Sequence, residues 1–123
     1  MTLDHPLDER ARTRLLQSVS TAISAALRHP EAPSVRIVER SPAAFTAPPS
    51  VAGPFALVEI DLMRGRSDDT KRRLYRALAE AVSVVGIEPA HYRVLLRELS
   101  PIDVCVGSGQ AAADVDLGYA VEV

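Results

Sequence analysis

Tryptophan is absent, and only two phenylalanines and three tyrosines occur among 123 residues, so the core must be aliphatic. A single cysteine, Cys105, cannot close an internal disulfide and has no Cys-x-x-Cys partner, which fits a reducing compartment. Neither sign of charge dominates: 14 Lys and Arg stand against 16 Asp and Glu, a formal net charge of −2. Without a basic tract interleaved with aromatics there is no electrostatic footprint for nucleic acid. Long apolar runs are also missing, and Asp4, Asp8 and Glu9 lie where a basic region and then an apolar one would open a signal peptide. A membrane location is therefore not expected, and a cytoplasmic one is. At 47% hydrophobic residues, the chain is long enough for one domain with a true core and too short for two ordinary ones.

The most ordered stretch runs from Leu57 to Val85. Val58, Ile60 and Leu62 alternate with Glu59 and Asp61, the period-2 pattern of a half-buried strand. After Gly65-Arg66-Ser67 the period changes. Leu74, Ala77, Leu78, Ala81, Val82 and Val85 recur at steps of three and four, one side of a helix, with Lys71, Arg72, Arg73, Arg76 and Glu80 largely off it. Ser67 suits the N-cap, and Asp68 and Asp69 oppose the positive end of the helix dipole. Gly86 is placed for the C-cap, with Pro89 beyond it.

Upstream, Pro6 suits the first turn of a helix whose stripe is Leu15, Val19, Ala22, Ile23, Ala26 and Leu27. The segment Arg28-His-Pro-Glu-Ala-Pro33 stops it, and Val35 to Val38 forms a short strand. The four prolines between Ser41 and Pro54 exclude regular structure and mark a connection between two halves. Downstream, Arg93 to Leu99 alternates as a second strand, Gly107-Ser-Gly109 makes a turn, and Tyr119 to Val123 reads as an edge strand. A shift of 59 residues places Leu15 on Leu74, Val19 on Leu78, Ala22 on Ala81 and Ile23 on Val82. The unit that repeats is strand, helix, strand, and the first copy keeps almost none of its opening strand. Leu7 stands where the second copy has Arg66.

A strand ending in Gly-Arg-Ser, a helix opening Asp-Asp-x-Lys, a second strand opening Tyr-Arg-Val, and a glycine turn together resemble the tautomerase superfamily, 4-oxalocrotonate tautomerase and its relatives. The match is closest over residues 57 to 109, and residues 15 to 38 resemble a degenerate second copy, as in the fused members with two βαβ units in one chain. The resemblance implies chemistry by an amino-terminal proline acting as general base or acid, with arginines holding a substrate carboxylate. Arg66 and Arg93 match the two family arginines. The place of the proline is Ala56 in the second copy and falls ahead of residue 1 in the first. Pro54 is internal, so its nitrogen is an amide, and Thr2, exposed by removal of Met1, does not align with the proline. Val104 or Val106 occupies the neighbourhood of the family's aromatic residue.

Each candidate residue also has a structural reading. Arg66, between a strand end and a helix N-terminus, suits an anion but equally a solvated turn. Arg93 and Arg97 share a strand face and either bind substrate or pair across strands with Glu59 and Asp61. Asp103 is the candidate general base in place of the proline, or a turn-capping carboxylate. His5, His29 and His91 share no spacing that would place two on one face, so no metal is expected. No cofactor is expected either.

The sequence thus leads to an α+β fold of tautomerase-like arrangement, with two βαβ-type repeats, the first truncated, and two helices on one face of a small mixed sheet. One domain, 1–123, is expected: a truncated first repeat (1–40), a proline-rich connection (41–54) and a complete second repeat with the C-terminal strand (55–123). Apolar Leu57, Met63 and Leu95 on the other sheet face favour self-association, and the family precedent is a trimer. The expected function is binding of a small carboxylate (an enol, keto acid or unsaturated acid) through Arg66, Arg93 and Arg97 without the proline base. Any turnover would be tautomerase-like or hydratase-like. The alternative is a catalytically inactive binding or assembly subunit, paired with a tautomerase-like partner chain that bears the proline.

Overall fold

The computed structural model describes residues 7–28, 55–88 and 91–116, and the backbone alone of 2–3 and 38–39. In chain order the elements are β1 (Thr2–Leu3), α1 (Glu9–Leu27), β2 (Val38–Glu39), β3 (Ala56–Met63), α2 (Asp68–Ser83) and β4 (Tyr92–Leu99). The strands form one mixed sheet in the order β2-β1-β3-β4. β1 is parallel to β2 and antiparallel to β3, and β3 is parallel to β4. The expected architecture is the observed one, two helices against a small mixed sheet. His5, His29, Pro54, the proline-rich connection and the strand expected at 119–123 lie outside the described residues, as do 35–37 of the strand expected to end at Val38.

Period-2 alternation becomes a two-faced sheet. Leu57 lies opposite Arg93, Glu59 opposite Leu95 and Asp61 opposite Arg97 on one face, while Val58 and Val94, and Ile60 and Leu96, meet on the other. The second face carries the helices. Leu15, Val19, Ile23, Ala26 and Leu27 of α1 join Leu74, Leu78, Ala81 and Val82 of α2 over Ala56 and Val58 in a single core. Leu15, Leu74 and Leu78 are wholly buried, each worth roughly 1.5 to 3 kcal/mol of transfer free energy. The central cluster is aliphatic, with Tyr92 packed partly buried against it and Phe55 buried outside it.

The helices run antiparallel. Near the middle of α1, the Ser18 hydroxyl donates to the Ala81 carbonyl (3.1 Å), and at its end Arg73 donates from both Nε (3.0 Å) and Nη2 (2.7 Å) to the Ala26 carbonyl. α1 has no basic residue in its own last turn, so α2 supplies the positive charge that its C-terminal carbonyls attract. Two helix boundaries correct the sequence reading. α1 begins at Glu9 and not near Pro6, because the Asp8 carboxylate accepts the Ala11 N–H at 2.7 Å, and a side-chain cap outweighs the preference of proline for a first turn. α2 ends on Val84 as C-cap instead of Gly86, although Gly86 has φ +82° and closes the turn by donating to the Ser83 carbonyl.

Candidate active site

β3 passes into α2 through Arg64, Gly65, Arg66 and Ser67. Gly65 has φ +122°, a conformation that suits only glycine. This turn reverses the chain so that the Ser67 hydroxyl accepts the Thr70 N–H at 3.2 Å and opens α2. Arg66 is held between these events. It is 7% exposed, and Nη1 donates to the Met63 carbonyl at 3.3 Å. It is therefore a buried residue of the strand-to-helix junction, not a solvated turn arginine. The fold contacts that bury it could not be read from its neighbours in sequence.

Register decides which candidates share a site. Leu57 is paired with Arg93 and Met63 with Leu99, so Arg93 lies at the start of the parallel pair and Arg66 beyond its end. Six residues at about 3.3 Å each separate the two levels by about 20 Å. Asp103 is exposed in a 3₁₀ turn, Pro101–Asp103, that follows β4, and so lies at the Arg66 end. Arg97 occupies the middle of the outer face. Its Nε donates to Asp61 (2.6 Å) and its Nη1 to Glu59 (3.4 Å), the cross-strand pairing weighed as its structural reading. The four candidates thus divide into Arg93 alone, Arg97 with its two carboxylates, and Arg66 with Asp103.

Arg93 stands beside a shallow pocket of about 330 Å³ lined by Tyr75, Tyr92, Arg93 and Val94. The guanidinium has no hydrogen-bond or ion-pair partner among the described residues. Tyr92 is fixed by donation of its hydroxyl to the Tyr75 carbonyl at 2.9 Å, and burial pushes its phenol above the ordinary value, so it remains a neutral donor at pH 7. Two tyrosines and one cation make a cleft with an apolar body and a single anion-binding corner. The alternation at 93–97 marked Arg93, but nothing in it marked Tyr75, which comes from a helix face 17 residues upstream of Tyr92.

Ala56, the position expected to match the family base, is wholly buried opposite Tyr92 in the strand pair, and its N–H donates to the His91 carbonyl at 3.0 Å. A ladder amide in that place has no basic lone pair. Cys105 is exposed and Ala111 lies opposite it in an isolated bridge. No group of three or more His, Cys, Asp and Glu suited to a metal occurs among the described residues, and no described helix is long and apolar enough to cross a membrane.

This fold belongs to a known class. The family model described as tautomerase enzyme matches residues 34–107, more than half of the chain, and the chain belongs to that family. Its fold is similar to that of Pt0534 inactivated by 2-oxo-3-pentynoate, with a TM-score of 0.81 and 20% identity over 94% of this chain and 96% of that one. It is also similar to FG41 malonate semialdehyde decarboxylase inhibited by 3-bromopropiolate (TM-score 0.74, 17% identity, 89% and 88% covered). A fused 4-OT, the symmetric trimer Q0, has a TM-score of 0.68 and 27% identity over 92% of this chain and 97% of that one. A search of the curated proteins found no match.

Proposed function

We propose that the protein binds a small carboxylate, an enol, keto acid or unsaturated acid, with Arg93 as its anchor and without a proline base. The observation that supports this most is the exposed Arg93 guanidinium at the corner of the Tyr75–Tyr92 pocket. A carboxylate there gains charge-assisted hydrogen bonds and lays its carbon body on the tyrosines. Arg66 contributes to the same ligand only where one copy brings it to the Arg93 end of another, since about 20 Å separates them within a chain. We read the chain as one domain, with 1–40, 41–54 and 55–123 as truncated repeat, connection and complete repeat. A homotrimer is the assembly this reading favours. The similar Q0 fused 4-OT is a symmetric trimer, and Leu95, 48% exposed on the outer sheet face, needs cover. Arg97 lies on that face and serves binding only if a ligand displaces Asp61 or Glu59.

The carboxylate relatives include a protein inhibited by 3-bromopropiolate and one inactivated by 2-oxo-3-pentynoate, both acids with an activated triple bond, and acids of this class are the ligands we assign to this chain. Asp103 is the candidate base at the Arg66 end, and any turnover through it would be a slow tautomerisation or addition of water to an activated double bond. The binding test is calorimetric titration with phenylacetate. Arg93→Ala should weaken binding by about tenfold or more, since bonds to a charged group contribute roughly 1.5 to 3 kcal/mol. Equal affinity in the two proteins removes Arg93 from the site. Light scattering that returns a monomer at micromolar concentration removes the trimer and, with it, any shared role for Arg66.

A further inference from the structure

We propose that the trough between α1 and α2, on the side of the helices turned away from the sheet, docks an amphipathic helix of a partner protein whose apolar stripe is flanked by acidic residues two to three turns apart. This goes beyond the carboxylate reading and does not depend on it. The trough has a volume of about 530 Å³, and Ala22, Ala25, Ala77, Ala81 and Val84 line it between the two helices. Side chains this short leave space that a third helix fills with larger apolar residues of its own, ridge into groove. The main-chain groups of α1 and α2 are spent within the helices. An extended segment laid here would leave its own amides unpaired, whereas a helix satisfies them internally.

Charge selects the partner. From Asp8 to Arg28 and from Ser67 to Val84 there are eight Lys and Arg and five Asp and Glu, a net +3 on a chain whose total is −2. Four of those acids, Asp8, Glu9, Asp68 and Asp69, lie at the helix N-termini, where the dipole holds them, and along the helix bodies only Glu80 is acidic. Lys71 pairs with Glu98, Arg72 with Asp69, and Arg73 with the Ala26 carbonyl. Arg10, Arg14 and Arg76 are exposed and have no ion-pair partner among the described residues. At about 100° per residue they fall opposite the core stripes of their helices. Ser18 bonds the Ala81 carbonyl, Arg14 lies four residues before Ser18, and Arg76 lies five before Ala81. In antiparallel helices these offsets add, so Arg14 and Arg76 stand about 14 Å apart along the trough, with Glu80 between their levels. A helix with acids at both places is attracted and one with bases is repelled. A second copy brings the same basic face and is repelled too.

The test is fluorescence anisotropy on the intact protein with three labelled, capped, alanine-rich peptides of about 20 residues. The first carries two glutamates about three turns apart beside a leucine stripe, the second has lysines in their place, and the third keeps the glutamates but has a central proline that breaks the helix. The first should bind about tenfold tighter than either of the others, and it should shift the amide resonances of Ala25 and Ala77 while leaving that of Arg93 in place. Arg14→Glu with Arg76→Glu, both at exposed positions, should keep the fold and make the lysine peptide the tighter ligand. Four outcomes overturn the proposal: no binding of the first peptide at millimolar concentration, equal binding of the first and second, binding of the proline peptide as tight as the first, or a preference unchanged in the doubly substituted protein. A single-stranded oligonucleotide that displaces the first peptide and binds this face more tightly would overturn it as well, by assigning the trough to nucleic acid.

Discussion

Arg66 and Arg93 lie at opposite ends of the same parallel strand pair. Both are expected from the family resemblance to hold a ligand, yet Arg66 is buried against the Met63 carbonyl beyond the end of β3, while Arg93 is exposed opposite Leu57 at its start. One residue is part of the fold and the other is available to a ligand. Substitution should separate these roles. Arg66→Ala removes a buried guanidinium and its hydrogen bond and should cost about 1 to 3 kcal/mol in urea unfolding. Arg93→Ala, at an exposed position, should stay within about 0.5 kcal/mol. Equal losses in the two variants would show that burial does not distinguish them.

Arg73 joins the helices by donating twice to the Ala26 carbonyl at the end of α1. Arg73→Ala should lower stability by about 1.5 to 3 kcal/mol, and Arg73→Lys should recover only part of this, because an ammonium lacks the planar fork that reaches one oxygen with two donors. Full recovery by lysine would mean that charge alone accounts for the contact.

The two residues Lys71 and Glu98 form an ion pair between α2 and the end of β4. The hydrogen bond from Lys71, and then its charge, hold the Glu98 carboxyl below its ordinary value. A carboxyl depressed in the folded state stabilises above its unfolded pKa, near ~4.3, and loses that contribution as pH falls through the folded value. Glu98→Gln should therefore lower the urea midpoint at pH 7 and leave it unchanged at pH 2, with the pH 7 difference shrinking at high salt. A difference that persists at pH 2 would rule out the charge as its source.

Much of this arrangement is legible in the sequence, for physical reasons that also set the limits. The alternation of Val58, Ile60 and Leu62, followed by the stripe from Leu74 to Val82, gives β3 and α2 almost to the residue, because periodicity records which face is buried. The stripe from Leu15 to Leu27 gives α1 in the same way. Its start was less legible: Pro6 and Asp8 each signal a helix N-terminus, and only the bond from Asp8 to Ala11 settles which one acts. β1 is two residues long, too short to show a period, and its place between β2 and β3 is a property of the sheet. Likewise, the burial of Arg66 and the pairing of Tyr92 with Tyr75 depend on how distant segments pack. The distance between Arg66 and Arg93 needed only the register of β3 on β4, which period-2 patterns leave open by any even number of residues.

Cys105 is exposed, so it should react with a thiol reagent in one phase and in equal stoichiometry with and without denaturant, and Cys105→Ser should leave the urea midpoint within about 0.5 kcal/mol. A thiol that reacts only after unfolding would place it inside an assembly interface.

The proposed absence of a proline-type base is tested most directly by the decay of an enol of phenylpyruvate, followed by ultraviolet absorbance at pH 7. A positioned acid–base group supplies about 10² to 10⁴ in rate, and the Ala56 nitrogen is a ladder amide with no basic lone pair. The expected result is decay near the buffer rate, with any small excess lost in Asp103→Asn. Decay far above buffer that survives both Asp103→Asn and chemical blocking of the amino terminus would contradict it.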